Sequence, residues 1–391
     1  LGVVAPLEWD AIRAAQAVVV EWETPPPLPT SSGLHAQMRA ATTTDNVVLE
    51  KGDVRVAADE AAATVVQQGN APYQAHAPFA PNCALADVRP DGGLVICSSQ
   101  DVHAARRGIA QLVGLPQEKI RVQYGEGAGT YGHSCYDDVA QAAALLSQLA
   151  GAPVRLQFMR ADEHGWDTYG PPHVGEARLS ADANGRIVAY EYHGWQHNWS
   201  LVETTSQLAG AAPATEWPPV AVQGVNALTC GGMYDIANVK LVNHRLPGLA
   251  YLRGAWLRSP LDLAFAFVSE QAVDQLAVQL AIDPVELRRR NVKDERWRGV
   301  LDAVAQASRW TPSRTSDRLG DARVRRGRGV GLGTHLVSHG AAVADIEVDT
   351  QTGVVRILHL YGALDAGLVV NPLTVEHQIE GQLVQTASRM L

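Results

Sequence analysis

The stretch Gly125–Asp138, G-E-G-A-G-T-Y-G-H-S-C-Y-D-D, constrains this chain more than any other. Gly125, Gly127, Gly129 and Gly132 fall within eight residues. The β-type run Ile120–Tyr124 leads in, and the Ala-rich helical run Asp138–Ala150 leads out. Strand, glycine loop and helix in that order let backbone N–H groups approach a ligand, because no Cβ stands in the way. Asp137 and Asp138 fall where a helix N-terminus favours acidic side chains. A plain strand-to-helix turn would use the same residues, so the loop alone leaves both readings open. A dinucleotide loop fits poorly: Ala150 and Gly151 occupy the region where its acidic residue should follow, and the G-K-S/T of a P-loop is absent.

The 391 residues are 46% hydrophobic and 19% charged, which is ordinary globular material. Length implies roughly two or three domains. A net charge of −9 argues against nucleic acid or anionic lipid as the main partner. No apolar run reaches the roughly 18 residues needed to span a membrane. Cys83, Cys97, Cys135 and Cys230 are widely spaced and form no C-x-x-C. They match no iron–sulfur, zinc or disulfide framework, so an iron–sulfur or haem centre would belong to another chain. Both ends are expected to continue. Leu1–Ala5 reads as a strand already under way without a Met, and Arg389-Met390-Leu391 lies inside a helical pattern without a stop signal. The compartment is therefore open, with the cytoplasm favoured over the periplasm.

Residues 8–22 read as a helix running into a strand, and Pro25-Pro26-Pro27 opens a linker extending over 26–69, with a helix at Ala57–Val66 inside it. Asp101 is the expected N-cap of a helix to Leu112. Val174–Leu179 and Ile187–Trp195 flank the turn at 182–185, a hairpin signature. Residues 203–232 read as a long insertion. Leu263–Ala281 carries the strongest apolar stripe, and Asp283-Pro284 opens another helix. Strands at Ala342–Val348 and Val354–Ala363 precede a helix over Glu376–Met390. This mixture is α+β, divided near the polar stretch 311–328.

Several motifs together carry a resemblance. They are G-A-G-T-Y-G-H at 127–133 with Tyr136-Asp137-Asp138, Pro72–Pro78 (P-Y-Q-A-H-A-P), Arg160–Trp166 (R-A-D-E-H-G-W) and Tyr251–Pro260 (Y-L-R-G-A-W-L-R-S-P). Asp365–Pro372 (D-A-G-L-V-V-N-P), followed by Gln378-Ile379-Glu380-Gly381, completes the set. In this order the chain resembles molybdopterin-binding large subunits of the xanthine dehydrogenase and aldehyde oxidase family, in the nicotinate dehydrogenase-like branch. The resemblance implies the end of an α/β hammerhead domain at 1–25, a first molybdopterin-binding domain at 70–310 and the start of a second at 325–391. It implies molybdopterin cytosine dinucleotide as cofactor, a small 2Fe-2S subunit as partner, and a cytochrome or flavoprotein as electron acceptor. The family reaction hydroxylates an electron-poor carbon of an N-heterocycle or aldehyde with water as the oxygen source. The family's base, a glutamate in G-x-G-E, is absent from this sequence and is expected beyond Leu391. A non-catalytic chain of the same fold is the alternative.

By the same resemblance, Gly127, Ala128, Gly129 and Gly132 face the molybdenum and pterin. Tyr131 projects into the substrate pocket, with plain packing as its other reading. Arg258 polarises substrate oxygen, with a structural ion pair as its other reading and Arg253 as the alternative residue. Gln74 and Gln378 hydrogen-bond metal ligands or pterin edges, or else satisfy loop backbone. Gln100 is a weaker candidate, and Asn371 shapes the turn before Pro372. No metal ligands from the protein are expected. His193 and His197 share a strand face but sit far apart. A serine hydrolase finds no support, since G-x-S-x-G is missing.

Overall fold

Pairing between distant stretches builds the architecture. The computed structural model describes residues 1–24, 27–133, 138–198, 205, 209–210, 228–249, 251–311 and 323–391. In the amino-terminal part, α1 (Glu8–Ala17) and α2 (Leu34–Ala40) precede β1 (Thr44–Lys51), α3 (Val54–Asp59), β2 (Ala63–Ala71) and β3 (Gln74–Ala75). There follow β4 (Cys83–Arg89), β5 (Gly92–Cys97), α4 (Val102–Val113), β6 (Ile120–Tyr124), α5 (Asp138–Ala150), β7 (Val154–Gln157) and α6 (Arg160–Trp166). Next come β8 (Tyr169–Gly170), β9 (His173–Ala181), β10 (Ile187–Asn198), β11 (Asn238–Leu249), α7 (Asp262–Gln279), α8 (Pro284–Asn291) and α9 (Glu295–Ala307). Last are β12 (Val324–Gly333), β13 (His339–Asp349), β14 (Val355–Asp365) and α10 (Pro372–Met390).

A five-stranded sheet has the order β1-β11-β10-β9-β2, with only β10 and β11 parallel. Helix α7 packs on it, and Tyr192, Phe265, Val273 and Leu276 fill the space between. Val330, Leu332, Ala341 and Val343 of the antiparallel sheet β12-β13-β14 join the same core. The four-stranded sheet β6-β5-β4-β7 has its own core. There Ala140, Ala143 and Ala144 of α5 are wholly buried against the sheet, together with Val95 and Ile109. Alanine at those positions lets the α5 backbone approach β4 closely.

Local signals explain the helix boundaries. The Asp101 carboxylate accepts from the N–H groups of His103 and Ala104, and Gly114 closes α4 at φ 69°. Asp283 caps α8 in the same way, with Pro284 at its first position. Asp182 accepts from Asn184 and Arg186 N–H to shape the β9–β10 hairpin turn.

Four expectations are corrected. The span 26–69 is not a linker: β1 pairs with β11 and β2 with β9, which places both inside the five-stranded sheet. The helix expected over Ala57–Val66 ends at Asp59, and the chain turns into β2, whose burial alternates as a half-buried strand requires. Leu1–Ala5 and Val18–Trp22 form no strand. Helix α9 was unforeseen, though Trp297, Val300, Leu301 and Val304 give it a buried face. Residues 312–322 of the boundary expected near 311–328, and most of the 203–232 insertion, lie outside the described residues.

Candidate functional site

The site begins where two parallel strands end. Strands β5 and β6 pair from Gly93↔Ile120 to Cys97↔Tyr124, so their carboxyl ends lie side by side. The Gly125 N–H donates to the Cys97 carbonyl at 2.8 Å and holds the loop against that edge. Such an edge opens a crevice for ligands. Glu126, Gly127, Ala128 and Gly129 are exposed there, whereas Gly132 and His133 are buried. The loop thus has an open rim and an anchored end.

The protein itself requires the small residues. A Cβ on Gly127 would lie 2.9 Å from the Ser98 Cβ. Gly129 has φ +95°, and a Cβ there would lie 3.0 Å from the Tyr131 ring. At Gly132, φ is +114° and a Cβ would lie 1.9 Å from the Trp256 carbonyl oxygen. Packing within the chain is therefore a second reason for these glycines, besides room for a ligand. Tyr131 is itself left-handed at φ 55°. Its ring folds back over Gly129, so it walls the loop from above.

A short ribbon joins the remaining candidates to the loop. The Arg258 N–H donates to the Tyr131 carbonyl at 2.7 Å. Tyr169 N–H donates to the Arg253 carbonyl at 2.8 Å, and Ala255 N–H returns a bond to the Tyr169 carbonyl at 2.9 Å. On the far side of β8, Gln74 of β3 pairs with Gly170. Gln74, the 253–258 segment, Arg258 and the glycine loop are thereby laid edge to edge. The Gln74 amide has no protein partner among the described residues. His76, two residues on, faces the Trp256 carbonyl at 2.7 Å and the Thr168 carbonyl at 3.0 Å. His133 faces the Thr130 carbonyl at 2.7 Å.

The two arginines differ in their partners. Arg253 reaches the buried Asp138 carboxylate at 2.7 Å and the Trp166 carbonyl, so it is a structural ion pair. Arg258 meets no carboxylate among the described residues. Its Nη2 donates to the Gln378 carbonyl at 2.9 Å and to Gln378 Oε1 at 2.7 Å, and Nη1 reaches Gln385 Oε1 at 3.4 Å. Gly381 lies beneath it, since a Cβ there would come within 3.2 Å of Nη1. Burial lowers the Arg258 pKa, but guanidinium stays charged in neutral solution. Gln378, expected against the pterin, spends its carbonyl and Oε1 on positioning Arg258. Asn371 caps α10 through Thr374 N–H, ahead of Pro372. Asp365 of the D-x-G element accepts from Arg296 and from Gly367 N–H, which makes it an ion pair that shapes the turn.

Sequence reasoning missed Gln385, His76 and His133. The i,i+7 spacing from Gln378 was the available signal for Gln385. Nothing local marks the Trp256 carbonyl as the partner of His76. His193 and His197 do not converge: His193 Nδ1 pairs with His244 Nε2 at 2.8 Å, while His197 packs edge-on to Tyr251. Among the described residues no three His, Cys, Asp or Glu side chains are arranged to hold a metal.

Burial pushes both His76 and His133 below the ordinary 6.5, with the carbonyl contacts offsetting part of the effect. The unfolded chain then takes up protons before the folded one as pH falls, so these two imidazoles withdraw stability downward from 6.5. Asp167 is pushed up by burial and acts in the opposite sense, in a window that extends down to 3.8. The melting temperature is expected to drop between about pH 7.5 and pH 5.5, and His76→Gln to flatten that slope. Thermal melts across that range check this, and an unchanged slope in the variant removes His76 as the source.

A family model for a molybdopterin cofactor-binding domain matches residues 38–292, and a second such model matches residues 269–391. The chain belongs to this molybdopterin cofactor-binding family. It is 32% identical to a nicotinate dehydrogenase subunit of Pseudomonas putida over 401 residues, covering 100% of this chain and 33% of that protein. It is 23% identical to the beta subunit of isoquinoline 1-oxidoreductase from Brevundimonas diminuta, covering 88% of this chain and 41% of that protein. The chain thus spans less than half the length of these relatives. Quinoline 2-oxidoreductase from Pseudomonas putida 86 shares the fold at a TM-score of 0.65 and 20% identity, over 90% of this chain and 48% of that one. Both family matches cross α7, in keeping with the single core that α7 shares with β12 and β13. The residues present suit a molybdopterin. Exposed main chain at 126–129 carries no side chain larger than a methyl after Glu126, and the Gln74 amide has no protein partner among the described residues.

Proposed function

We propose that this chain forms the cofactor-facing part of a molybdenum hydroxylase catalytic subunit, which oxidises an N-heterocycle or an aldehyde by water-derived hydroxylation. The observation that carries this reading is Arg258. Its N–H is tied to the loop tip, and among the described residues its guanidinium is held by neutral acceptors alone. A cation fixed but not neutralised is suited to an oxygen or ring nitrogen that gains negative charge as a trigonal carbon becomes tetrahedral. Molybdopterin, when bound, supplies the redox chemistry and the oxygen transfer. The chain's own residues bind and orient. Main-chain N–H groups of Gly127–Gly129 approach the cofactor, the Gln74 amide offers donor and acceptor, and Tyr131 covers the loop. The cytosine dinucleotide form, a small 2Fe-2S partner subunit, and a cytochrome or flavoprotein acceptor complete the proposal. It draws support from the likeness to subunits of nicotinate dehydrogenase and isoquinoline 1-oxidoreductase.

The test is metal and pterin analysis of the purified full-length protein, followed by Arg258→Ala. Molybdenum and pterin should be present, and the variant should lose about 100-fold or more in turnover with metal content retained. A protein that carries neither molybdenum nor pterin would be the non-catalytic alternative.

A further inference from the structure

Arg258 opens a strained turn. Ser259 and Leu261 are left-handed, at φ 55° and φ 62°, with Pro260 between them. Neither is glycine, and a Cβ makes that backbone region costly, so the strain persists only where the surroundings fix it. Upstream, the Arg258 N–H is bonded to the Tyr131 carbonyl at 2.7 Å. Downstream stands Asp262, the first residue of α7, and Leu261 before it provides no side-chain cap. The Asp262 carboxylate is buried. Its Oδ1 accepts from Thr229 Oγ at 2.9 Å, and its Oδ2 faces His335 Nδ1 at 2.6 Å. Thr229 belongs to a single turn at 228–232, and His335 to the loop between β12 and β13. The Ser338 hydroxyl donates to the His335 carbonyl at 2.8 Å and steadies that loop. A residue 73 positions further along the chain therefore pins the far end of the turn that carries Arg258. From α7, Asp262 is the ionisable group that faces His335, while Thr229 and Ser338 are neutral. The hydrogen bond to Asp262 raises the His335 pKa above 6.5, with burial opposing it. The ion pair is then complete below 6.5 and weakens as pH rises through the raised value, because a neutral imidazole keeps its N–H but loses its charge.

We propose that His335 is a positioning residue for Arg258: through Asp262 it clamps the turn at 259–261 and so holds the Arg258 backbone against Tyr131. This rests on the reading of Arg258 as the charge-bearing group of a hydroxylase site. His335 itself is half-exposed, so its replacement empties no core space. Its effect is carried by the contact with Asp262. When that contact weakens, the two left-handed residues are free to relax, and the N–H bond from Arg258 to the loop tip loosens with them.

The test is hydrogen exchange of the purified full-length protein, read by mass spectrometry on peptides covering 256–262 and 333–339. His335→Ala should speed exchange of the 256–262 amides about tenfold or more. His335→Lys, which keeps a cation opposite Asp262, should restore most of the protection. In the unmodified protein, protection at 256–262 should fall as pH rises from about 6.5 to about 9, beyond the intrinsic change in exchange rate, and His335→Ala should lose that dependence. Faster exchange confined to 333–339 overturns the proposal, as does an unaltered pH dependence at 256–262 in His335→Ala. In the holoenzyme, turnover of isoquinoline or benzaldehyde, with ferricyanide as electron acceptor, should fall about tenfold in His335→Ala through kcat more than KM, with molybdenum content retained. Exchange is read whether or not metal is bound. A protein without molybdenum and pterin would therefore sink the hydroxylase reading, while the tie between His335 and Arg258 would still stand or fall on exchange.

Discussion

Gly132→Ala is expected to destabilise the chain by about 3 kcal/mol or more and to dislodge Arg258 from the loop. Two costs add. A left-handed backbone costs a residue with a Cβ about 1–2 kcal/mol, and Gly132 stands at φ +114°. The new methyl would also lie 1.9 Å from the Trp256 carbonyl oxygen and 2.6 Å from its carbon, both rigid main-chain atoms. The 256–258 segment must then move. It carries the carbonyl that His76 faces and the N–H that Arg258 gives to Tyr131. Gly114→Ala is the control, since that glycine has φ +69° with nothing within 4 Å of an added Cβ. It should cost only about 1 kcal/mol. Denaturation midpoints of the two variants separate backbone strain from overlap, and equal losses would mean that the contact with Trp256 carries no weight.

Glu270→Ala should cost about 3–5 kcal/mol, for a different reason. Arg288 is entirely buried and donates through Nε to Glu270 Oε2 at 2.8 Å and through Nη1 to Asp274 at 2.6 Å. Tyr234 O–H donates to Glu270 Oε1 at 2.5 Å, and Leu332 N–H donates to Oε2 at 2.8 Å. One carboxylate on α7 therefore serves α8, β12 and the segment before β11. Alanine leaves the buried guanidinium with Asp274 as its one carboxylate among the described residues, beside the Pro284 and residue 270 carbonyls, and removes the acceptor of a phenol and of a backbone N–H. Replacing both charged partners, Glu270→Leu with Arg288→Met, should recover part of the loss, because no unpaired charge remains. Chemical denaturation checks both variants. A loss below about 1 kcal/mol in Glu270→Ala would mean that water reaches the site and satisfies Arg288.

Features written in neighbouring residues were legible. The strand, glycine loop and helix around 120–150, the Asp101 and Asp283 caps, the 182–185 turn and α7 each depend on contacts a few residues apart. The motif order also brought out Gln74, Arg258 and the loop, and the ribbon through β3, β8 and 253–258 joins them. The partners of β1 and β2 were not legible. Thr44 faces Arg245 and Ala63 faces Ala181, and no periodicity within 44–71 encodes so distant a neighbour. Val18–Val20 shows the converse: three β-branched residues form no strand, and no strand among the described residues pairs with them. Propensity is local, whereas pairing needs a partner brought by the rest of the chain.

The same division runs through the site. By itself the sequence determined that small residues stand at 127–129 and 132, that an arginine follows near 253–258, and that glutamines stand at 74 and 378. The tertiary structure alone decided which arginine is paired with a carboxylate. Arg253 is neutralised by Asp138, while Arg258 is held by Gln378 and Gln385, which lie at least 120 residues away in sequence. It also brought the Gln378 carbonyl and Oε1 to the Arg258 guanidinium. A side chain's chemistry is carried by its identity. Whether its charge is available depends on which groups the fold brings within hydrogen-bonding reach, and that is a property of long-range packing alone.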